Sequence, residues 1–306
     1  MSAARCYSLV VLTCNRPAAL ERCLRSIERL EWDGPPPEVI VVDDGSDPPS
    51  RSVVERFTSL RIEYRHQPNR GVAAARNTGL RAASGTYVAF IADDYVLPAS
   101  YLRDVDEFFR AHGDARVITH NLAPKGAGVF SRVQRLYMQL ALGQELRPGV
   151  HPSGVVSSFT LPASRAAVFA RSVFDEVGAF DERLRVGEDG DFGRRLAAAG
   201  IPVHMFFWKA VEHHEALRGR DYLRQRTRYG RSYVRVLGGG PARASFETWG
   251  PAGIAVSTAR KLREWWTVAG ALGLRGRLLV HAPFITLFLA AFYRGAYQEY
   301  RDSETR

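Results

Sequence analysis

The residues best suited to chemistry in this 306-residue chain gather in short acidic clusters. Asp43-Asp44-Gly45-Ser46 follows the apolar run Val39–Val42. A carboxylate at a strand end accepts hydrogen bonds from a nucleobase N–H or a ribose hydroxyl. The same four residues also suit a turn, with Asp and Ser capping a helix near Pro48. Asp93-Asp94 follows Phe90-Ile91-Ala92. Adjacent carboxylates repel unless a cation or donor compensates, and oxygen-only ligands suit Mg²⁺ or Mn²⁺ carrying a diphosphate. The competing reading is a solvated turn before Pro98.

Gly187-Glu188-Asp189-Gly190-Asp191 opens a helical pattern. Carboxylates at a helix start are stabilised by its dipole, and Asp191 with Arg195 is an ordinary i,i+4 pair. Three acids in four residues are more than capping requires. Such crowding raises one pKa and leaves a general base aimed into a cleft. His213-His214 is either a metal ligand at a strand end or a partly exposed structural pair. The chain contains no HExxH, zinc spacing, Walker A or GxSxG pattern, and Gly71-x-x-x-x-Arg76-Asn77 is not a dinucleotide fingerprint.

The elements that must position these groups alternate in the N-terminal half. Strands are predicted at Tyr7–Thr13, Glu38–Asp44, Arg61–His66 and Thr86–Asp94. Helices are predicted from Pro17 to about Leu30, near Pro48–Phe57, at Gly71–Ala83 and at Pro98–His112. That alternation implies an α/β fold with a doubly wound, mostly parallel sheet, helices on both faces, and ligands at the carboxyl ends of the strands. Asn121–Pro162 reads as a loop around a helix at Val129–Leu142. A further strand is expected at Pro202–Trp208, after a helix at Glu188–Ala199.

Hydrophobic residues make up 46% of the chain and charged residues 24%, an ordinary globular balance that excludes wholesale disorder. Cys6, Cys14 and Cys23 are an odd cluster, not a disulfide framework, and fit a reducing compartment. The Tyr7–Leu12 run is too short for a signal peptide. The net charge of +10 is unevenly placed. Residues 218–306 hold 16 basic and 6 acidic side chains, whereas the preceding 217 residues balance at 26 of each. Two domains are therefore expected, 1–217 and a basic helical extension at 218–306.

In that extension Arg220, Arg224, Arg228, Arg231 and Arg235 fall on one helical face. Leu278–Tyr293 carries no formal charge and is short for a membrane span. Interfacial insertion at an anionic membrane surface is one expectation, with a lipid-pyrophosphate acceptor as a variant of it. A buried helix or a homodimer interface is the other.

Taken in order, the motifs resemble those of the family-2 inverting glycosyltransferases with a GT-A fold. The resemblance rests on Val10-Val11-Leu12-Thr13-Cys14-Asn15-Arg16-Pro17, Val41-Val42-Asp43-Asp44-Gly45-Ser46 and Asn69-Arg70-Gly71-Val72-Ala73-Ala74-Ala75-Arg76-Asn77-x-Gly79. It continues with Phe90-Ile91-Ala92-Asp93-Asp94, Val177-Gly178-Ala179-Phe180-Asp181-Glu182 and Gly187-Glu188-Asp189-x-Asp191. The match runs from about Tyr7 to His214.

The resemblance implies that Thr13, Asn15, Arg16, Asp44, Arg76 and Asp93 bind the donor, with Asp44 reading the base. It implies Asp94 as metal ligand and His214 as a further ligand or a diphosphate contact. Asp189 would be the base that deprotonates the acceptor hydroxyl, with Glu188 beside it and Asp191 toward the acceptor. Cys14 stands where many members carry Tyr, and Ala92 occupies the first Asp position of the DXD motif. The implied cofactor is Mn²⁺ or Mg²⁺. The implied donor is a nucleotide sugar, UDP-linked by preference, and the acceptor a glycan, a lipid-linked or a small-molecule hydroxyl compound. The expected setting is cytoplasmic, peripheral on the inner face of the membrane.

The chief rival is a catalytically inactive nucleotide-sugar-binding module. A nucleotidyltransferase would need a Gly-rich basic loop after the first strand, which Asn15-Arg16-Pro17 is not. The balanced body gives nucleic acid no companion surface to the arginine helix, so no nucleic-acid partner is expected.

Overall fold

The computed structural model describes residues 5–126, 128–145, 155–158, 166–214 and 219–305. Its contacts divide the chain into two compact units, residues 1–123 with 151–214 and residues 124–150 with 215–306. Arg218, the expected start of the extension, lies outside the described residues. So does most of the stretch between residues 146 and 165.

The first unit begins β1 (Tyr7–Thr13), α1 (Pro17–Glu28), β2 (Glu38–Asp44), α2 (Arg51–Val54), β3 (Ile62–Gln67), α3 (Val72–Ala82) and β4 (Tyr87–Ala92). It continues with β5 (Tyr95–Val96), α4 (Tyr101–Ala111) and β6 (Val117–Pro124). The helix expected near Pro48 shrinks to one turn, because Pro48 and Pro49 offer no N–H to a helical ladder. β4 stops at Ala92, so Asp93 and Asp94 occupy the turn into β5.

Beyond α5 (Val129–Glu145), which belongs to the second unit, come β7 (Val155–Ser158), β8 (Val168–Ala170), α6 (Ser172–Val177), α7 (Glu188–Ala198) and β9 (Val203–His213). The sheet runs β3-β2-β1-β4-β8-β6-β9-β5, with β7 also on β9. β3, β2, β1 and β4 are parallel, whereas β8 joins β4 and β6 antiparallel and β5 and β7 join β9 antiparallel. The expected doubly wound α/β sheet is present, and its second half is mixed.

Parallel strands with helices on both faces are buried throughout, which explains the unbroken apolar runs. Leu9, Val10 and Val11 of β1 and Ile40, Val41 and Val42 of β2 are fully enclosed. Beneath α7 lies an aromatic cluster. Phe192 stacks on Phe180 at 4.5 Å, and Phe180 meets Phe90 of β4 edge-on at 5.4 Å. Each such ring contributes about 2–3 kcal/mol by leaving water, so the start of α7 is anchored by its own second turn.

The second unit comprises α5, α8 (Gly219–Leu237), α9 (Gly240–Trp249), a 3₁₀ turn at Gly250–Ala252, α10 (Gly253–Ala271) and α11 (Arg275–Glu304). α5 packs here because Val133, Leu136 and Leu140 present one apolar face, buried with Tyr222, Trp265, Ile285 and Phe288. The uncharged stretch 278–293 lies within α11, which by length and composition is able to cross a membrane.

Candidate active site

The loops after β1 and β2 are stitched together. Asn15 has φ +54°, a left-handed conformation that a short polar side chain tolerates. Its N–H donates to Ser46 Oγ at 2.8 Å, and its side-chain oxygen accepts the Asp47 N–H at 2.9 Å. Asp43 accepts the N–H groups of Ser46 and Ser50 and the Tyr64 hydroxyl at 2.7–2.9 Å. Burial works to raise the Asp43 pKa, but these hydrogen bonds outweigh it and hold the carboxyl below its usual range.

Asp44 accepts the Gln67 amide at 2.7 Å, the Arg70 N–H at 2.9 Å and the Gly71 N–H at 2.8 Å. A carboxylate offers roughly four acceptor sites, so Asp44 spends most of its capacity on the loop that leads into α3. Gly45 belongs to this arrangement: at φ +84°, an added Cβ would lie 2.7 Å from the Asn69 nitrogen.

Asp93 and Asp94 share one guanidinium. Arg16 Nη2 lies 2.6 Å from Asp93 Oδ1, and Nη1 lies 2.7 Å from Asp94 Oδ2. Thr13 Oγ1 donates to Asp93 Oδ2 at 2.7 Å. Burial pushes Asp93 up to about 6 despite Arg16 and Thr13. In Asp94 burial acts the same way, but the His213 ring and Arg16 prevail and its pKa is lowered. Two adjacent acids thereby acquire opposite tendencies.

The histidine facing this pair is His213, not the expected His214. Nε2 of His213 is 3.5 Å from Asp94 Oδ2, and its ring meets Tyr95 edge-on at 5.2 Å. β9 extends to His213, and alternate strand residues face opposite sides. His214 therefore turns its ring to Glu212 at 3.1 Å, and gives Asp94 only its backbone N–H, to the carbonyl oxygen at 2.8 Å. The strand was expected to end at Trp208 because Lys209 and Glu212 interrupt the apolar run.

The donor set fits a divalent cation in part. Asp94 Oδ1 is buried without a hydrogen-bond partner, an acceptor suited to Mg²⁺ or Mn²⁺. Among the described residues no three His, Cys, Asp or Glu side chains, His213 with this pair included, are arranged to hold a metal ion by themselves. The remaining ligands would come from a diphosphate and water, as Mg²⁺ commonly accepts.

The third acidic cluster is tied to the loop that Asp44 receives. Arg76 and Glu188, both buried, pair at 2.7 Å, and the Arg76 guanidinium lies 4.9 Å from the Phe180 ring centre. Burial raises the Glu188 pKa, with Asp189 adding to the rise and Arg76 opposing it. Asn77 accepts the Phe180 N–H at 3.0 Å and donates to the Phe180 carbonyl at 2.9 Å and to Glu182 at 3.0 Å. Arg70 pairs with Glu182 at 2.5 Å.

Residues 70–77 thus clamp residues 180–188. In this structure Arg76 and Glu188 are a buried brace, and Arg76 Nε is left without a hydrogen-bond partner. Asn77, to which the sequence alone assigned no separate role, is the residue that fixes the Phe180 backbone. Its only signal was its place beside Arg76.

Asp189 sits in the first turn of α7, half-buried, with Oδ1 accepting the Gly190 N–H at 2.9 Å. Gly187, at φ +90°, makes the abrupt turn into that helix. Asp191, expected toward the acceptor, is instead occupied. Its two oxygens take Arg194 at 2.6 Å and Arg195 at 2.9 Å, and Arg195 in turn holds the Ala179 carbonyl at 2.9 Å. Helical geometry decides this, since i+3 and i+4 arginines reach the same side chain.

The chain is similar to known proteins. The family profile described as "Glycosyl transferase family 2" matches residues 8–174. The pre-mycofactocin glycosyltransferase of Mycobacterium tuberculosis (strain CDC 1551 / Oshkosh) is 33% identical over 230 residues, 74% of this chain and 47% of that protein. A validoxylamine A glucosyltransferase of Streptomyces hygroscopicus subsp. limoneus is 36% identical over 223 residues, 64% of this chain and 49% of that protein. The chain thus spans about half the length of these curated relatives.

Among solved structures, the mannosyltransferase PcManGT from Pyrobaculum calidifontis, in complex with GDP-Man and Mn²⁺, superposes with a TM-score of 0.63 at 18% identity, covering 98% of this chain and 88% of that one. S. aureus TarS 1-349 in complex with UDP-GlcNAc gives 0.57 at 16% identity, covering 97% and 92%. These structural likenesses establish a shared GT-A-like fold. With the profile covering more than half of its length and the motifs in order, the chain belongs to glycosyl transferase family 2.

Proposed function

We propose that the chain transfers a sugar from a nucleoside-diphosphate donor, UDP-linked by preference, to an acceptor hydroxyl with inversion at the anomeric carbon. One observation carries the reading. Asp44, the Asp93–Asp94 pair and Asp189 are all delivered to strand ends or a helix start, and Asp44 and Asp189 are linked through residues 70–77 and 180–188. Relatives of the same fold hold UDP-GlcNAc, or GDP-Man with Mn²⁺, which supports a nucleotide sugar as donor.

Displacement builds negative charge on the leaving diphosphate, and a divalent ion at Asp93 and Asp94 would offset it. Arg16 holds the two acids together and is half-exposed, so its guanidinium is within reach of the same phosphates. An acceptor hydroxyl is a weak nucleophile near neutral pH, and Asp189 takes its proton as the new bond forms. Glu188, held by Arg76, fixes the turn that carries Asp189.

The test is a thermal-shift panel of UDP, GDP and dTDP with and without Mn²⁺, followed by turnover of the matching nucleotide sugar. A ligand at 100 times its Kd stabilises by about 2.7 kcal/mol, an easily read shift. No shift with any nucleoside diphosphate would defeat the proposal.

A further inference from the structure

The helical unit contains a groove that the transferase reading does not use. α8 and α11 touch backbone to backbone: a Cβ at Gly230 would fall 1.8 Å from the Phe292 carbonyl oxygen, and one at Gly295 would fall 1.9 Å from that of Thr227. Beside this contact lies a cavity of about 890 Å³, with Ile254, Leu287, Ala290 and Ala291 as its apolar lining. Its charged lining is Arg220, Arg224, Arg228 and Arg294 against the single acid Asp221.

The arginines of α8 are divided between two fates. Arg231 and Arg235 are neutralised by Glu299 and Asp302 of α11. Arg226 is buried and faces the rings of Tyr222, Tyr229 and Phe288 at 4.7–5.2 Å. Among the described residues Arg224 pairs only with Asp221, at 3.5 Å, and Arg220, Arg228 and Arg294 form no ion pair. Three cations without an ion pair therefore converge on the groove.

The apolar side of the groove continues along α11. Val280 is 74% exposed, Phe284 39% and Leu287 49%, at the three- and four-residue spacing of one helix face. That stripe runs through Ala291 and ends on Arg294. An exposed apolar strip leading into a ring of guanidinium groups matches one chemistry, a hydrocarbon chain attached to a phosphate. Guanidinium forks bind phosphate oxygens in pairs.

We propose that this groove seats the phosphate headgroup and adjoining chain of an anionic phospholipid, and so docks the helical unit on a membrane surface. The proposal is independent of the donor chemistry, since none of these residues belongs to the acidic clusters.

Flotation of the full chain with phosphatidylcholine vesicles, with and without phosphatidylglycerol, tests it. Binding is expected only with phosphatidylglycerol. Joint Arg228→Glu and Arg294→Glu substitution should weaken it by about tenfold or more, since each basic group contributes on the order of 1 kcal/mol at such a surface. Leu287→Ser, at an exposed position that the fold does not need, should weaken it several-fold. Arg263→Glu, a charge reversal at one site on exposed α10 surface and half the change of the joint variant, should leave it intact. Soluble glycerol phosphate should fail to displace the protein.

Equal binding to neutral vesicles, no binding to either, or an equal loss in Arg263→Glu would overturn the proposal. So would full displacement by glycerol phosphate, which would mark a free-phosphate site, or a dimer broken by the arginine variants, which would mark a self-interface. Circular dichroism of each variant separates lost binding from lost fold.

Discussion

Both units set arginine against a buried carboxylate, and they do it differently. In the first, Arg76 and Glu188 are both about nine-tenths buried and join segments 112 residues apart. In the second, Glu299 is equally buried, but Arg235 is half in solvent and both partners lie on long helices. A pair removed from water on both sides exerts strong control over local geometry and tolerates no loss of one member. A pair with one wet partner is energetically modest. The first arrangement sets a loop and the second trims the charge of a helix face.

The largest test of this contrast is chemical. Asp189→Asn should reduce sugar transfer by about 10³-fold, the scale of a lost general base, with an unchanged melting temperature. A full transfer rate would remove Asp189 from that role, while a large loss of stability would make it part of the brace instead.

Next is the brace itself. Glu188→Ala leaves Arg76 charged and buried and should cost about 3–5 kcal/mol in denaturant unfolding. Joint replacement by Arg76→Met and Glu188→Leu should recover much of that, because no orphan charge remains. If the single and double variants unfold alike, the pair is not coupled.

A neutral buried group in the same unit gives a pH signature. His120 of β6 contributes Nδ1 to a 3.0 Å contact with the Ala166 carbonyl, and burial lowers its pKa to about 4. The free imidazole titrates near 6.5, so the unfolded chain takes up the proton first. Stability is complete above about pH 6.5 and is lost as pH falls toward 4, by up to about 3 kcal/mol. Thermal melts between pH 7 and 5 should show the slope, and His120→Asn should flatten it. The smallest effect is expected for Arg235→Ala, within about 1 kcal/mol. A loss as large as that of Glu188→Ala would erase the distinction between the two units.

The sequence was most informative where local pattern and burial agree. The bounds of β1 and β2 follow from largely apolar, valine-rich runs that end at turn residues, and α7 from an acidic start with Phe192 and Leu196 spaced on one face. It was least informative where a partner comes from far along the chain. Nothing local to Arg16 marks it as the cation between Asp93 and Asp94, and nothing local to Arg76 points to Glu188. The short antiparallel strands β7 and β8 have too few residues for a period to register. The mixed polarity of β9 hid its last turn of the ladder, and with it the parity that brings His213 rather than His214 to Asp94.

Arg16 gives the acidic turn a countercharge that belongs to the polypeptide. Asp93 and Asp94 can therefore share a dry position before any ligand arrives, and folding need not wait for an ion. A chelator should accordingly abolish turnover while leaving the melting curve where it was, a separation that metal-nucleated folds do not allow.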